Sequence, residues 1–86
     1  MSLNSKLIYH KRALKFLEKQ EATVQGRIVK ALKGLIVRPP HGDIKPLQGK
    51  GNLMRLRVGT YRIIFEVNLD ESVVYILTID NRGDVY

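Results

Sequence analysis

The sequence predicts an α+β fold: one small domain of order β-α-α-β-β-β, with a helix pair packed on one face of a mainly antiparallel sheet. Three observations predict it. Apolar residues recur at helical spacing in two adjacent stretches, residues 11–19 and 21–36. Alternating and β-branched runs fill residues 53–79. Between them lies RPPHGDIKPLQGKGN, residues 38–52, whose three prolines and three glycines interrupt regular structure. With 86 residues, all of this belongs to a single domain spanning 1–86.

Each element has its own warrant. Ser-Lys-Leu-Ile-Tyr, residues 5–9, reads as a short first strand. In 11–19, Ala13, Leu14 and Leu17 form the expected apolar face, and Lys11, Arg12, Lys15, Glu18 and Lys19 cover the rest. In 21–36, Val24, Ile28, Ala31, Leu32 and Leu35 make an apolar stripe, with a basic stripe of Arg27, Lys30 and Lys33 beside it. Gln20 and Glu21 leave a short connection, which predicts an antiparallel helix pair. Pro39 and Pro40 are expected to end the second helix.

Residues 38–52 are expected to form a loop, pinned to the core by Ile44 and Leu47. In 53–58, Met54, Leu56 and Val58 alternate with Arg55 and Arg57. Gly59-Thr60 makes a tight turn, glycine supplying the unusual backbone angles. In 61–68, Tyr61, Ile63, Phe65 and Val67 share one side, and Arg62, Ile64 and Glu66 the other. After a turn at Asp70-Glu71-Ser72, VVYILTI (73–79) has the composition of a buried central strand, and 80–86 reads as a tail.

The net charge of +7 favours polyanions (nucleic acid, a membrane surface or an acidic protein), and in a domain this small it points to nucleic acid or an acidic partner protein rather than to a basic surface with no dedicated partner. The absence of cysteine excludes a disulfide framework and thiolate zinc sites, and fits a cytoplasmic protein. MSLNSKLIYHKR lacks the apolar core of a secretory leader, and no apolar run approaches membrane-spanning length. His10 and His41 are far apart, and Asp43, Asp70, Asp80 and Asp84 have no metal-ligand spacing. Four arginines (Arg55, Arg57, Arg62 and Arg82) and Tyr86 instead suggest a site for RNA phosphate.

LQGKGNLMRLRVGTYRIIFEV, followed by an apolar strand and NRGDVY, resembles the RelE/ParE toxin superfamily of toxin–antitoxin modules. The likeness extends over nearly the whole chain and is strongest toward the RelE branch. It implies a metal-independent, cofactor-free endoribonuclease that cuts mRNA in the ribosomal A site, the 2′-hydroxyl attacking the adjacent phosphate. Carried over by position, Arg62 would bind the scissile phosphate, Arg82 would stabilise the leaving 5′ oxygen, and Tyr86 would activate the 2′-hydroxyl. Arg55 stands where RelE has a lysine. A second RelE lysine is replaced by Leu53, so that charge is either missing or supplied elsewhere, by Lys50 or Arg57.

The resemblance also implies partners. These are the ribosome and mRNA, gripped through Arg57, Lys50 and the Arg27, Lys30 and Lys33 stripe, and a RelB-like antitoxin. The toxin–antitoxin complex would bind DNA through the antitoxin, and no membrane is implied. Two alternatives stand beside this reading: a ParE-like inhibitor of DNA gyrase, and a catalytically decayed toxin that only binds its antitoxin.

Overall fold

A computed structural model describes residues 6–37 and 39–81. The elements run β1 (Lys6–Tyr9), α1 (Lys11–Glu18), α2 (Ala22–Lys33), β2 (Asp43–Pro46), β3 (Leu53–Val58), β4 (Tyr61–Asn68) and β5 (Val73–Asn81). The strands form one sheet in the order β1-β5-β4-β3-β2. The predicted α+β layering holds, with two corrections: the sheet has a fifth strand, and β1 pairs with β5 in parallel. The remaining pairings are antiparallel.

The added strand, β2, falls inside the segment expected to be a loop. It is four residues long, ends on Pro46 and pairs with β3 at the sheet edge. An edge tolerates a proline because one side of the strand has no ladder to maintain. Ile44 packs against the core as expected, whereas half-buried Leu47 hydrogen-bonds through its backbone N–H to the Leu53 carbonyl.

One face of the sheet carries the core. Leu56, Ile63, Phe65, Val74, Ile76 and Ile79 meet Ala13 and Leu17 of α1, Ile28 and Leu32 of α2, and Leu35 just beyond it. Burying each large apolar side chain contributes about 1.5–3 kcal/mol, set against the conformational entropy of ordering it. The face of α1 differs from expectation. Leu14 is exposed, and Phe16 instead turns inward to meet Tyr61 edge-on, ring centroids 6.2 Å apart. Ala13, Phe16, Leu17 and Gln20 lie at i, i+3, i+4 and i+7; Leu14 is about 100° off that stripe.

The second helix ends at Lys33, earlier than expected. Gly34 caps it, and the Leu35 and Ile36 N–H groups reach back to Leu32 and Lys33 in tighter, three-residue turns. Leu35 therefore remains buried although the α-helix has stopped. His10 has a local duty: its Nδ1 accepts from the Arg12 backbone N–H at the start of α1.

β3 and β4 join through Gly59-Thr60, as predicted. Gly59 has φ +60°, and a Cβ there would stand 2.8 Å from Nη2 of Arg27. β5 runs to Asn81, two residues past the expected end, and contains an irregularity. Ile64 pairs with Thr78 and Phe65 with Ile76, so Leu77 is an extra residue, a bulge. Among the described residues, no helix is long and apolar enough to cross a membrane.

Candidate nucleic-acid interface

The sheet face opposite the helices carries the charge. Alternation on β3 sends Leu56 to the core and Arg55 and Arg57 outward; on β4 it buries Ile63 and Phe65 and turns Arg62 outward. Strand register then lines up four residues. Asp43 is opposite Arg57, Arg57 opposite Arg62, and Arg62 opposite Asp80. The result is a transverse row of carboxylate, guanidinium, guanidinium, carboxylate across β2, β3, β4 and β5.

Like charges directly opposite each other on neighbouring strands repel. The outer carboxylates compensate unequally. Arg57 donates from Nε to Asp43 Oδ2 at 3.2 Å. Arg55 Nη2 approaches the other Asp43 oxygen at 3.5 Å. The hydrogen bond from Arg57 holds the Asp43 carboxyl below its ordinary range; desolvation opposes it, and the charges of Arg55, Arg57 and Lys45 reinforce it. At the other end, Arg62 Nε and Asp80 Oδ1 are 3.8 Å apart, beyond hydrogen-bonding distance. Both atoms are shielded from solvent and lack a hydrogen-bond partner among the described residues.

The three arginines are presented to different depths. The side chain of Arg55 is 12% exposed, that of Arg62 37% and that of Arg57 50%. Arg55 is thus a largely covered charge, whereas Arg57 and Arg62 offer surface to a ligand. Arg55, Arg57, Arg62 and Lys45 outnumber Asp43 and Asp80, so the patch stays net positive.

A second group of cations meets this row at its rim. Arg27 reaches from α2 to the Gly59 turn. Arg27, Lys30 and Arg57 line a cleft of about 400 Å³ whose floor includes Ala31 and Leu56. Lys33, exposed three residues on, does not line it. Lys50 lies in the turn joining β2 and β3, whereas the row sits by the β3–β4 turn; about 13 Å of strand separates Leu53 from Arg57. Lys50 is not brought to the row. Arg82 and Tyr86 lie outside the described residues.

The other aromatics divide by face. Tyr9 and Tyr61 pack against the core, and burial raises the Tyr9 pKa. Tyr75 donates to Glu71 Oε1 at 2.9 Å. That bond raises the Tyr75 pKa, with smaller contributions from the charge of Glu71, burial and Glu66. Among the described residues, no group of three His, Asp or Glu side chains is arranged to hold a metal ion.

Sequence reasoning missed the two carboxylates. Asp43 and Asp80 are 37 residues apart, and only the register of four strands brings them into one row with Arg57 and Arg62. The available signal was the even spacing of Arg57 and Arg62 about a two-residue turn.

Known proteins share the family profile and the fold of this chain. The sequence profile described as the ParE toxin of the type II toxin–antitoxin system parDE matches residues 7–86. No curated protein matches the chain in sequence. The fold is similar to the archaeal RelE–RelB complex from Pyrococcus horikoshii, at 29% identity and TM-score 0.79, covering 93% of this chain and 97% of that one. It is also similar to the toxin–antitoxin complex RelBE2 from Mycobacterium tuberculosis, at 25% identity and TM-score 0.77, covering 92% and 99%. The isolated E. coli RelE toxin shares the fold at 23% identity and TM-score 0.76, covering 90% and 83%. A profile spanning nearly the full length, on a fold shared with RelE toxins, shows that the chain belongs to the RelE/ParE superfamily and is the toxin of a toxin–antitoxin module.

Proposed function

We propose that this toxin is a ribosome-dependent endoribonuclease that cleaves mRNA through the open face of its sheet. The observation that carries this reading is Arg62. It is fixed on an inner strand between two neighbours, faces away from the core, and keeps part of its side chain exposed within a net-positive patch. Guanidinium matches phosphate oxygens in pairs.

The chemistry asks for positioning and charge. The 2′-hydroxyl oxygen bonds to the adjacent phosphorus and the P–O5′ bond breaks, giving a 2′,3′-cyclic phosphate and a free 5′-hydroxyl. One proton leaves O2′ and one reaches O5′. Arg62 would stabilise the extra charge on the phosphoryl oxygens, commonly the largest catalytic contribution. Arg57 and the deeper Arg55 would add to that field. Arg82 would sit by the leaving oxygen, and Tyr86 would take the 2′-hydroxyl proton as general base. β5 ends at Asn81, opposite Tyr61, and Arg82 is the next residue in the chain. The cleft of Arg27, Lys30 and Arg57 would hold ribosomal RNA or flanking mRNA backbone. An acidic or amphipathic segment of a RelB-like antitoxin would compete for the same charge; relatives of 29% and 26% identity are solved as RelE–RelB complexes.

Primer extension on ribosome-bound mRNA tests the proposal. Wild-type toxin should produce discrete cuts in translated mRNA and few in free RNA. Arg62→Ala and Arg82→Ala should each abolish them; retention of the cuts by both variants would refute the site.

A second reading is favoured by the profile match itself, which is to ParE toxins. It makes the chain an inhibitor of DNA gyrase. Inhibition of supercoiling without mRNA cleavage would establish it over the first.

A further inference from the structure

The unequal treatment of the two paired arginines calls for an explanation. Asp43 hydrogen-bonds Arg57, and that pair is satisfied. Asp80 is held opposite Arg62 by strand register, yet its Oδ1 stops 3.8 Å from Nε, with both atoms shielded and unpartnered among the described residues. An ion pair of this length, without a hydrogen bond and between side chains that are each more than a third exposed, adds little to stability. A carboxylate beside a phosphate-binding cation also weakens anion binding. Neither stability nor ground-state affinity accounts for its place.

Orientation does. A guanidinium has two useful edges, one including Nε and one made by its terminal nitrogens. A carboxylate fixed at the Nε edge restricts rotation of the plane and leaves the terminal pair for a bidentate phosphate. Closing from 3.8 Å to a hydrogen bond of about 2.9 Å needs under about 1 Å of side-chain movement. We infer that Asp80 is a positioning residue, which orients Arg62 through Nε so that its terminal nitrogens meet the scissile phosphate. This inference rests on the proposed role of Arg62.

The effect should separate rate from binding. In Asp80→Asn, the patch loses a negative charge, so ribosome-bound mRNA should be engaged at equal or lower toxin concentration. The guanidinium loses its guide, so the saturating cleavage rate should fall about tenfold or more. Single-turnover cleavage across a toxin titration reads both quantities. Asp80→Glu should recover part of the rate. In an Arg62→Lys background, which has no Nε edge of this kind, Asp80→Asn should cost little further.

A direct readout does not depend on catalysis. The Nε–H resonance of Arg62, followed by ¹H–¹⁵N NMR of the toxin, should shift and broaden in Asp80→Asn while the backbone spectrum is preserved. An unchanged Nε–H resonance would overturn the inference whatever the activity. So would a wild-type saturating rate in Asp80→Asn when Arg62→Ala is inactive. Full activity in Arg62→Ala would instead refute the proposed catalytic site, and the NMR result would then decide the orienting role alone.

Discussion

Replacing Gly59 with alanine tests how the hairpin turn supports the arginine row. Gly59 has φ +60°, and Thr60 is not in the positive-φ region, so glycine occupies the first central position of a type II′ turn. A residue with a Cβ at positive φ costs roughly 1–2 kcal/mol. The new Cβ would also stand 2.8 Å from Arg27 Nη2. That atom ends a flexible side chain, so it can withdraw at small cost. Backbone strain should therefore dominate. For a domain of this size, about 1–2 kcal/mol corresponds to a fall in melting temperature of roughly 4–16 °C. Thermal and urea unfolding should show that loss in Gly59→Ala and a smaller one in Gly59→Asn, since asparagine tolerates positive φ better. The loss should persist when Arg27→Ala removes the steric partner. Near-wild-type stability of the Gly59→Ala/Arg27→Ala pair, relative to Arg27→Ala alone, would show that collision rather than backbone strain was the cost.

Other perturbations act elsewhere in the molecule. Leu56→Ala empties a fully buried site in the core and should cost about 2–5 kcal/mol in urea unfolding. The folded pKa of Asp43 lies below the unfolded value of about 3.9, so its stabilising contribution is present above that pH and is lost as pH falls through the folded pKa. The difference in urea midpoint between wild type and Asp43→Asn should accordingly be constant near neutrality and shrink in acid below about pH 4. Tyr75 has the opposite sign: its raised pKa gives a contribution present below about pH 10 and lost as pH rises through the folded value. Glu71→Gln should lower the Tyr75 pKa in an absorbance titration. The ribosome binding proposed above predicts an affinity that weakens with salt, and Lys30→Ala should reduce the slope of that dependence by about 1.

Much of this fold is legible from local pattern because its elements obey one period each. The alternation of Leu56 and Ile63 with Arg55, Arg57 and Arg62 assigned faces correctly without any tertiary information. Leu14 misled because an apolar residue in a short helix can sit about 100° off the buried stripe and remain exposed. Asp43–Pro46 was illegible because its strand exists only through pairing with β3, in a segment whose prolines and glycines argue for a loop. Gly34 ended α2 before the prolines could. Half of the charged row was readable: Arg57 and Arg62 straddle a two-residue turn and must face each other. Asp43 and Asp80 were not, since cross-sheet register over four strands is a long-range property.

The bulge at Leu77 shifts the phase of β5. Before it, Tyr75 faces out and Ile76 in; after it, Thr78 faces out, Ile79 in, and Asp80 out beside Arg62. Uninterrupted alternation from Ile76 would turn Ile79 toward solvent and drive the Asp80 carboxylate into the core. Leu77 is thus a spacer in the reading of the strand, and its deletion would leave every later side chain on its present face. Loss of one paired residue such as Thr78 could be absorbed only by drawing Leu77 into the ladder. A deletion scan along β5 should find its most tolerant position at the bulge, with intolerance returning on either side.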